Sequence, residues 1–375
     1  MKKVAIACQG GGSHTAFTAG VLQAILQAKR DDAAFQLVAL SGTSGGAVCA
    51  LLAWHGFITQ DYARAVEQLQ TFWTTAWPQG NASSATEFPS NELLVWLDRL
   101  PVKAEFSPYL LDVYLQSLPE NLQTQFRERL DVQYLFKQLL RRYITEEAIR
   151  AALRQQPEAP ELLIGACDVG NGRFQVFHGK HPDFSLDAVV ASAAIPTLMK
   201  AVRIEQGAYQ GVYWDGLFSQ NPPVRELPGL LCAGQPRPPA IKPAPEAPDT
   251  REIWLIRINP RTCAREPKWM VDILDRRNEL AGNLSLEQEI QFIQQINRFV
   301  QEGGLIEKRK DGVAVGRYEV IDIKEIELPS AAIEAKGWTL DSASKLDRRQ
   351  EFLEMLRQEG QTQGAAFLAG QRLDD

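Results

Sequence analysis

The sequence predicts an α/β protein of three layers, a mostly parallel central sheet with helices on both faces. Three observations lead there. The apolar run Val4-Ala5-Ile6-Ala7-Cys8 meets a glycine loop, Gly10-Gly11-Gly12, and then Phe17, Val21, Leu22, Ile25 and Leu26 at helical spacing. A second apolar run, Leu37-Val38-Ala39-Leu40, passes through Gly42-Thr43-Ser44-Gly45-Gly46 into a second helical stretch over 47–54. Strand–helix–strand–helix order needs crossover connections, and crossovers build parallel sheets.

The later elements follow in turn. Residues 56–160 read as a helical, aromatic-rich insertion carrying Phe57, Tyr62, Phe72, Trp73, Trp77, Phe88, Trp96, Phe106, Tyr109 and Tyr114. Most of these aromatics fit ordinary core helices; the sharper alternative makes some of them a lid or channel over the site. Residues 162–167 return to strand character, and Gly170-Asn171-Gly172 before Phe174-Gln175-Val176-Phe177 marks a hairpin. Ser185 caps a predicted helix over 186–194 that stops at Pro196, and runs at 202–204 and 212–214 flank a turn at Gly207. Prolines crowd residues 233–248, as in an exposed loop, before a further apolar strand at 254–258. Predicted helices at 269–280 and 285–301, the second with Ser285 and Gln288 as a capping box, lead to a strand at 318–323 and a charged helix at 346–358. The division expected is 1–260 as the α/β domain and 261–375 as a mainly helical extension packed on it.

Composition narrows the function. The chain of 375 residues carries a net charge of -6 with no long basic run, which argues against nucleic acid as a partner. Its 5 cysteines are scattered without close pairs, the pattern of a reducing compartment, so the expected location is cytoplasmic. The apolar stretch after Lys2-Lys3 is too short for a signal peptide, and no run reaches membrane-spanning length. No transmembrane segment is expected, and any bilayer contact would be peripheral.

Gly42-Thr43-Ser44-Gly45-Gly46 fits the G-x-S-x-G nucleophile elbow, whose setting is the strand–turn–helix found here. Small neighbours, above all Gly42 and Gly46, let the chain double back and lift the serine hydroxyl to a helix N-terminus, where negative charge is favoured. The plainer reading makes Ser44 a helix cap. A base must accompany it. Of the histidines His14, His55, His178 and His181, none lies in the C-terminal half; a triad of Ser44, Asp168 and His181 keeps the hydrolase order but crowds its acid and histidine around one hairpin. Asp215 follows Val212-Tyr213-Trp214 and precedes Gly216, a carboxylate at a strand end. Burial there would raise its pKa and strengthen it as a base, whereas the plainer reading is a self-bonded Asp-Gly turn. Gly10, Gly11 and Gly12 can turn backbone N–H groups toward an oxyanion. A dinucleotide loop competes, although Thr15 stands where its third glycine belongs.

Together these residues resemble the patatin-like phospholipase family, whose pattern is G-G-G-x-R/K-G, then G-x-S-x-G, then D-G-G/A. The chain carries Gly10-Gly11-Gly12-Ser13-His14-Thr15, Gly42-Thr43-Ser44-Gly45-Gly46 and Asp215-Gly216-Leu217 in that order, with Ala191-Ser192-Ala193-Ala194-Ile195-Pro196 matching the block before the aspartate. The resemblance implies a lipid acyl hydrolase with a Ser44–Asp215 dyad and an oxyanion hole from the Gly10–Gly12 loop. It implies no metal and no cofactor, and a lipid or acyl-ester substrate. His14 stands at the family's Arg/Lys position and becomes a candidate headgroup or loop contact. The alternative is a nucleotide- or lipid-binding regulatory module without hydrolase activity.

Overall fold

The chain opens as β1 (Lys2–Cys8), α1 (Ala16–Arg30), β2 (Phe35–Gly42) and α2 (Gly45–Thr59). In the computed structural model the residues described are 2–31, 35–76, 109, 131–196, 198–232, 250–263, 266–268, 270–303, 306–308, 314–316 and 319–370. Next come α3 (Tyr62–Thr71), α4 (Val132–Arg141), α5 (Glu146–Gln155), β3 (Glu161–Asp168), β4 (Arg173–His178) and α6 (Asp187–Ser192). They are followed by β5 (Val202–Ile204), β6 (Gly211–Asp215), α7 (Leu227–Leu231), β7 (Arg251–Arg257) and α8 (Met270–Gln301). A small hairpin of β8 (Ile306–Lys308) and β9 (Ala314–Gly316) precedes β10 (Asp322–Glu327), α9 (Ser330–Ala335), α10 (Ser342–Leu346) and α11 (Gln350–Leu368).

One eight-stranded sheet organises these elements, in the order β10-β7-β1-β2-β3-β6-β5 with β4 also on β3. From β10 to β3 every pairing is parallel; β4, β6 and β5 pair antiparallel. Buried on both faces, β1 reads as a continuous apolar run rather than an alternation. One face packs against α1, α2, α5 and α11 in a large core around Trp54, Phe17 and Phe352. The other packs against α7 and α8, through Leu227, Leu286, Ile290 and Ile293. This is the three-layer, mostly parallel α/β arrangement expected.

Three elements depart from expectation. The helices read at 269–280 and 285–301 are one continuous α8. Gly282 and Asn283, which suggested a break, are tolerated because tertiary contacts use them: Gly282 lies against Leu217 and Asn221, and Asn283 bonds Gln9 and Pro260. Ser285 is therefore no cap, and its hydroxyl donates instead to the Ser219 carbonyl, at 2.6 Å. The strand expected at 318–323 is β10, displaced toward the C-terminus. The helix expected at 346–358 is α11, which begins at Gln350 and extends to Leu368. A Cβ at Gly20 would strike the Arg357 carbonyl and one at Gly360 the Phe17 carbonyl, so α11 and α1 are in backbone contact. In the insertion, Phe57, Phe72 and Trp73 are buried core residues, while Trp77, Phe88, Trp96, Phe106, Tyr114 and the Pro-rich 233–248 lie outside the described residues.

Candidate active site

Ser44 sits between the end of β2 and the start of α2 with φ 55 and ψ -129, in the left-handed half of the map that a side chain disfavours. The strain is sustained by close neighbours. A Cβ at Gly46 would strike the Cys8 carbonyl, and one at Gly10 would lie 2.8 Å from Ser44 Cβ. The Ser44 N–H donates to Ser192 Oγ at 2.9 Å, and the Ser192 hydroxyl donates to the Gly165 carbonyl at 2.6 Å. The Ser44 side chain makes no cap bond to α2, so its hydroxyl is not spent as a helix cap.

Asp215 reaches the same place from the opposite direction. β4 occupies one edge of β3 over Leu163 to Asp168, so β2 and β6 share the other edge. β2 runs parallel to β3 and ends with Gly42 opposite Ile164; β6 runs antiparallel and ends with Asp215 opposite Ala166. The two strands meet head to head on a common neighbour, and their chain ends carry Ser44 and Asp215. Thr43 packs between them, with a Cβ at Gly216 falling 2.8 Å from Thr43 Cγ2.

The carboxyl is fully buried. Its Oδ1 accepts from the Leu217 N–H at 2.7 Å, the self-bonded turn, while the buried Oδ2 has no hydrogen-bond partner at ordinary distance. Burial pushes the Asp215 pKa up to about 7, opposed by the Leu217 N–H and by the Ser44 hydroxyl. Ser44 thus lies near enough to interact with the carboxyl without closing a formed bond, as free catalytic pairs often do.

The glycine loop is held by amides from far along the chain. Gly10 donates its N–H to Asn221 Oδ1 at 2.6 Å, and its carbonyl accepts from Asn259 Nδ2 at 2.9 Å and Asn221 Nδ2 at 3.3 Å. Gln9 Oε1 accepts from the N–H groups of Ile258 and Asn259, and Gln9 Nε2 donates to Asn283. The three glycines are therefore not equivalent. Gly10 has spent its N–H, a correction to the expectation that all three face an oxyanion. Those of Gly11 and Gly12 form no hydrogen bond among the described residues.

His14 is buried, its Nε2 2.7 Å from Ser344 Oγ, and burial followed by the charge of Lys345 lowers its pKa to about 3. It is a neutral internal strut to α10, which excludes the headgroup contact and leaves the loop contact. The triad of Ser44, Asp168 and His181 is not assembled. Asp168 accepts from the N–H groups of Gly170 and Asn171 and from Asn171 Nδ2 in the hairpin turn, while His181 Nδ1 accepts from the Asp183 N–H. Among the described residues no cluster of His, Cys, Asp and Glu is arranged to hold a metal.

A model of the patatin-like phospholipase family matches residues 6–228, more than half of the chain. The chain belongs to the patatin-like phospholipase family. The matched span holds Ser44, Asp215, the glycine loop, Ser192 and Asn221, whereas Asn259 and Asn283 fall in the family member's C-terminal part. Among solved structures, VipD from Legionella pneumophila is 12% identical with a TM-score of 0.36, the alignment covering 98% of this chain and 67% of that one. The type III effector ExoU is 15% identical with a TM-score of 0.33, over 99% of this chain and 53% of that one. ExoU in complex with SpcU from Pseudomonas aeruginosa is 16% identical with a TM-score of 0.32, over 96% and 52%. The chain spans about half the length of these ExoU chains. No curated protein matches it.

Proposed function

We propose that this protein is a serine acyl hydrolase that cleaves carboxylic ester bonds of lipids, with Ser44 as nucleophile and Asp215 as base. The observation that carries the reading is the buried Asp215 carboxyl, its pKa pushed to about 7, with one oxygen unpartnered and the Ser44 hydroxyl acting on it. A base with a pKa near the working pH is effective, so no histidine is required.

In the first half of the reaction Ser44 Oγ bonds the ester carbonyl carbon while its proton passes to Asp215 Oδ2. The carbonyl oxygen, now an anion, takes hydrogen bonds from the N–H groups of Gly11 and Gly12. Collapse breaks the bond to the alcohol, which leaves with the proton from Asp215, and the acyl group stays on Ser44. In the second half water attacks the acyl carbon as Asp215 takes its proton. The proton returns to Ser44 Oγ as the fatty acid departs. Ser192 holds the Ser44 backbone and touches no substrate; it is a positioning residue. The partner is a lipid or acyl-ester substrate, met at a lipid surface from the aqueous side.

Fluorophosphonate labelling with peptide mapping tests the assignment. The expected outcome is an adduct on Ser44, with hydrolysis of a short-chain nitrophenyl ester, both lost in Asp215→Asn. A protein that neither labels nor hydrolyses is a binding module, and the reading fails.

A further inference from the structure

The inner face of α8 is committed to the core, where Leu286, Ile290 and Ile293 bury against the sheet. A helix with one buried face is expected to be polar on the other. α8 is not. Met270, Ile273, Leu280, Leu284, Phe292 and Phe299 are all exposed, Leu284 by 58% and Phe292 by 65%. At about 100° per residue these six fall within an arc of about 120° opposite the buried face, a stripe about 44 Å long from Met270 to Phe299.

The charges are sorted as well. Arg277 and Arg298 fall inside the arc, and every carboxylate of α8 falls outside it. Four of the carboxylates off the stripe are engaged elsewhere: Asp275 and Glu279 with Lys345, Glu287 with Arg257 and Arg261, and Glu289 with Gln220 and the Val224 N–H; the fifth, Asp272, is exposed about 80° beyond the edge of the arc. Within the arc the exposed surface is the six apolar side chains with the neutral Gln288 and Gln291, and arginine is its only formal charge.

The stripe is continuous with the site. Ser285 and Glu289 hold residues 219–224, just beyond Asp215, and they lie on the flank of α8 next to Phe292. Gly282 lies against Leu217. α8 and the loop that follows the proposed base are joined by hydrogen bonds.

We propose that the outer face of α8 is the surface by which this protein lies on an anionic phospholipid bilayer, Leu284 and Phe292 entering the acyl boundary and Arg277 and Arg298 meeting phosphate. This rests on the lipid-hydrolase reading of the site for its substrate, and on the α8 surface alone for its occupant. A largely apolar face that carries arginine and no carboxylate suits an interfacial helix. No helix among the described residues is long and apolar enough to cross a membrane, so α8 lies along the surface.

The test uses full-length Ser44→Ala protein and extruded vesicles of phosphatidylcholine with one-fifth phosphatidylserine, read by flotation. The Leu284→Glu/Phe292→Glu variant is expected to lose at least tenfold in vesicle affinity. In the Ser44 background the same pair should lower vesicle hydrolysis in parallel and leave soluble nitrophenyl-ester hydrolysis unchanged, which also reports that the fold is intact. A second probe, Phe292→Trp, should be quenched by brominated acyl chains beyond the parent's own tryptophans. Unchanged vesicle binding in the double variant overturns the proposal, as does no binding by the parent. So does a parent dimer that these substitutions dissociate, which would make the occupant a second copy. Absent soluble-ester hydrolysis with intact, variant-sensitive vesicle binding refutes the hydrolase reading and leaves this surface standing.

Discussion

The nucleophile elbow and the wall that faces it are built by opposite routes. Ser44 is placed by its own strand, turn and helix, with Ser192 as a single outside support. The facing wall is assembled from distant pieces: Gly10 is clamped by Asn221 and Asn259, 211 and 249 residues away, and Gln9 by Asn283, 274 residues away. The difference teaches where function is vulnerable. A turn encoded locally survives loss of a remote contact, whereas a loop whose direction is set by remote amides does not.

The largest expected effect is on the facing wall. Asp215→Asn keeps the acceptor for the Leu217 N–H and removes the base; kcat should fall about 10³-fold, the scale of a lost general base. In the parent, kcat/KM should rise with pH through about 7, as the carboxyl loses its proton, and the residual activity of Asp215→Asn should lack that limb. Stability should move the other way. With its folded pKa raised to about 7 from 3.8, Asp215 stays protonated in the folded state while the unfolded chain releases its proton. Between those values the unfolded state binds fewer protons, so this group's contribution to stability falls as pH rises. At pH 8 the Asn variant should therefore melt above the parent, and should lose that advantage near pH 4. A variant melting at or below the parent at pH 8 would mean that the buried charge costs the fold nothing.

A smaller loss is expected one contact back. Asn221→Ala frees the Gly10 N–H and leaves its carbonyl held by Asn259 alone, so the N–H groups of Gly11 and Gly12 are less firmly directed. Removing one oxyanion donor costs about 10²–10³ in kcat, and misdirecting a pair should approach the lower figure. Two buried bonds are lost as well, worth about 1–3 kcal/mol in urea melts. Fluorophosphonate should still mark Ser44, more slowly, because the elbow does not depend on Asn221. Activity within a factor of two of the parent would show that the loop holds itself.

The same contrast decides what was legible in the sequence. Residues 37–54 announce the elbow because apolar run, small-residue turn and helix are contiguous, and the parallel sheet follows from the order of such units. Asp215 was legible as a strand-end carboxylate, but not its head-to-head meeting with β2, which depends on how β3 divides one edge between two partners. Asn221, Asn259 and Asn283 were not legible, since an amide that bonds a backbone hundreds of residues away looks locally like any turn residue. Ser192 and Asn221 had one weak signal each, a place in the Ala191–Pro196 block and an Asn-Pro pair soon after Asp215-Gly216. The sequence leaves His14 open as a headgroup or a loop contact, because α10, which buries it, follows more than 300 residues later. The unbroken α8 was hidden because Gly282 and Asn283 look like a stop until their tertiary partners are known.

The smallest effect isolates the elbow itself. Ser44→Ala and Ser44→Gly both remove the nucleophile, so activity does not separate them; backbone strain does. Holding a side chain at φ 55 and ψ -129 costs about 1–3 kcal/mol, and glycine relieves it. Glycine loses about 0.5–1 kcal/mol through the greater freedom of the unfolded chain. The two effects oppose, and relief is the larger, so Ser44→Gly should exceed Ser44→Ala in urea stability by about 1 kcal/mol. Were Ala the more stable of the two, the elbow would hold no strain for its neighbours to sustain. The local half of the site would then depend on Ser192 and Gly165 much as Gly10 depends on its distant amides.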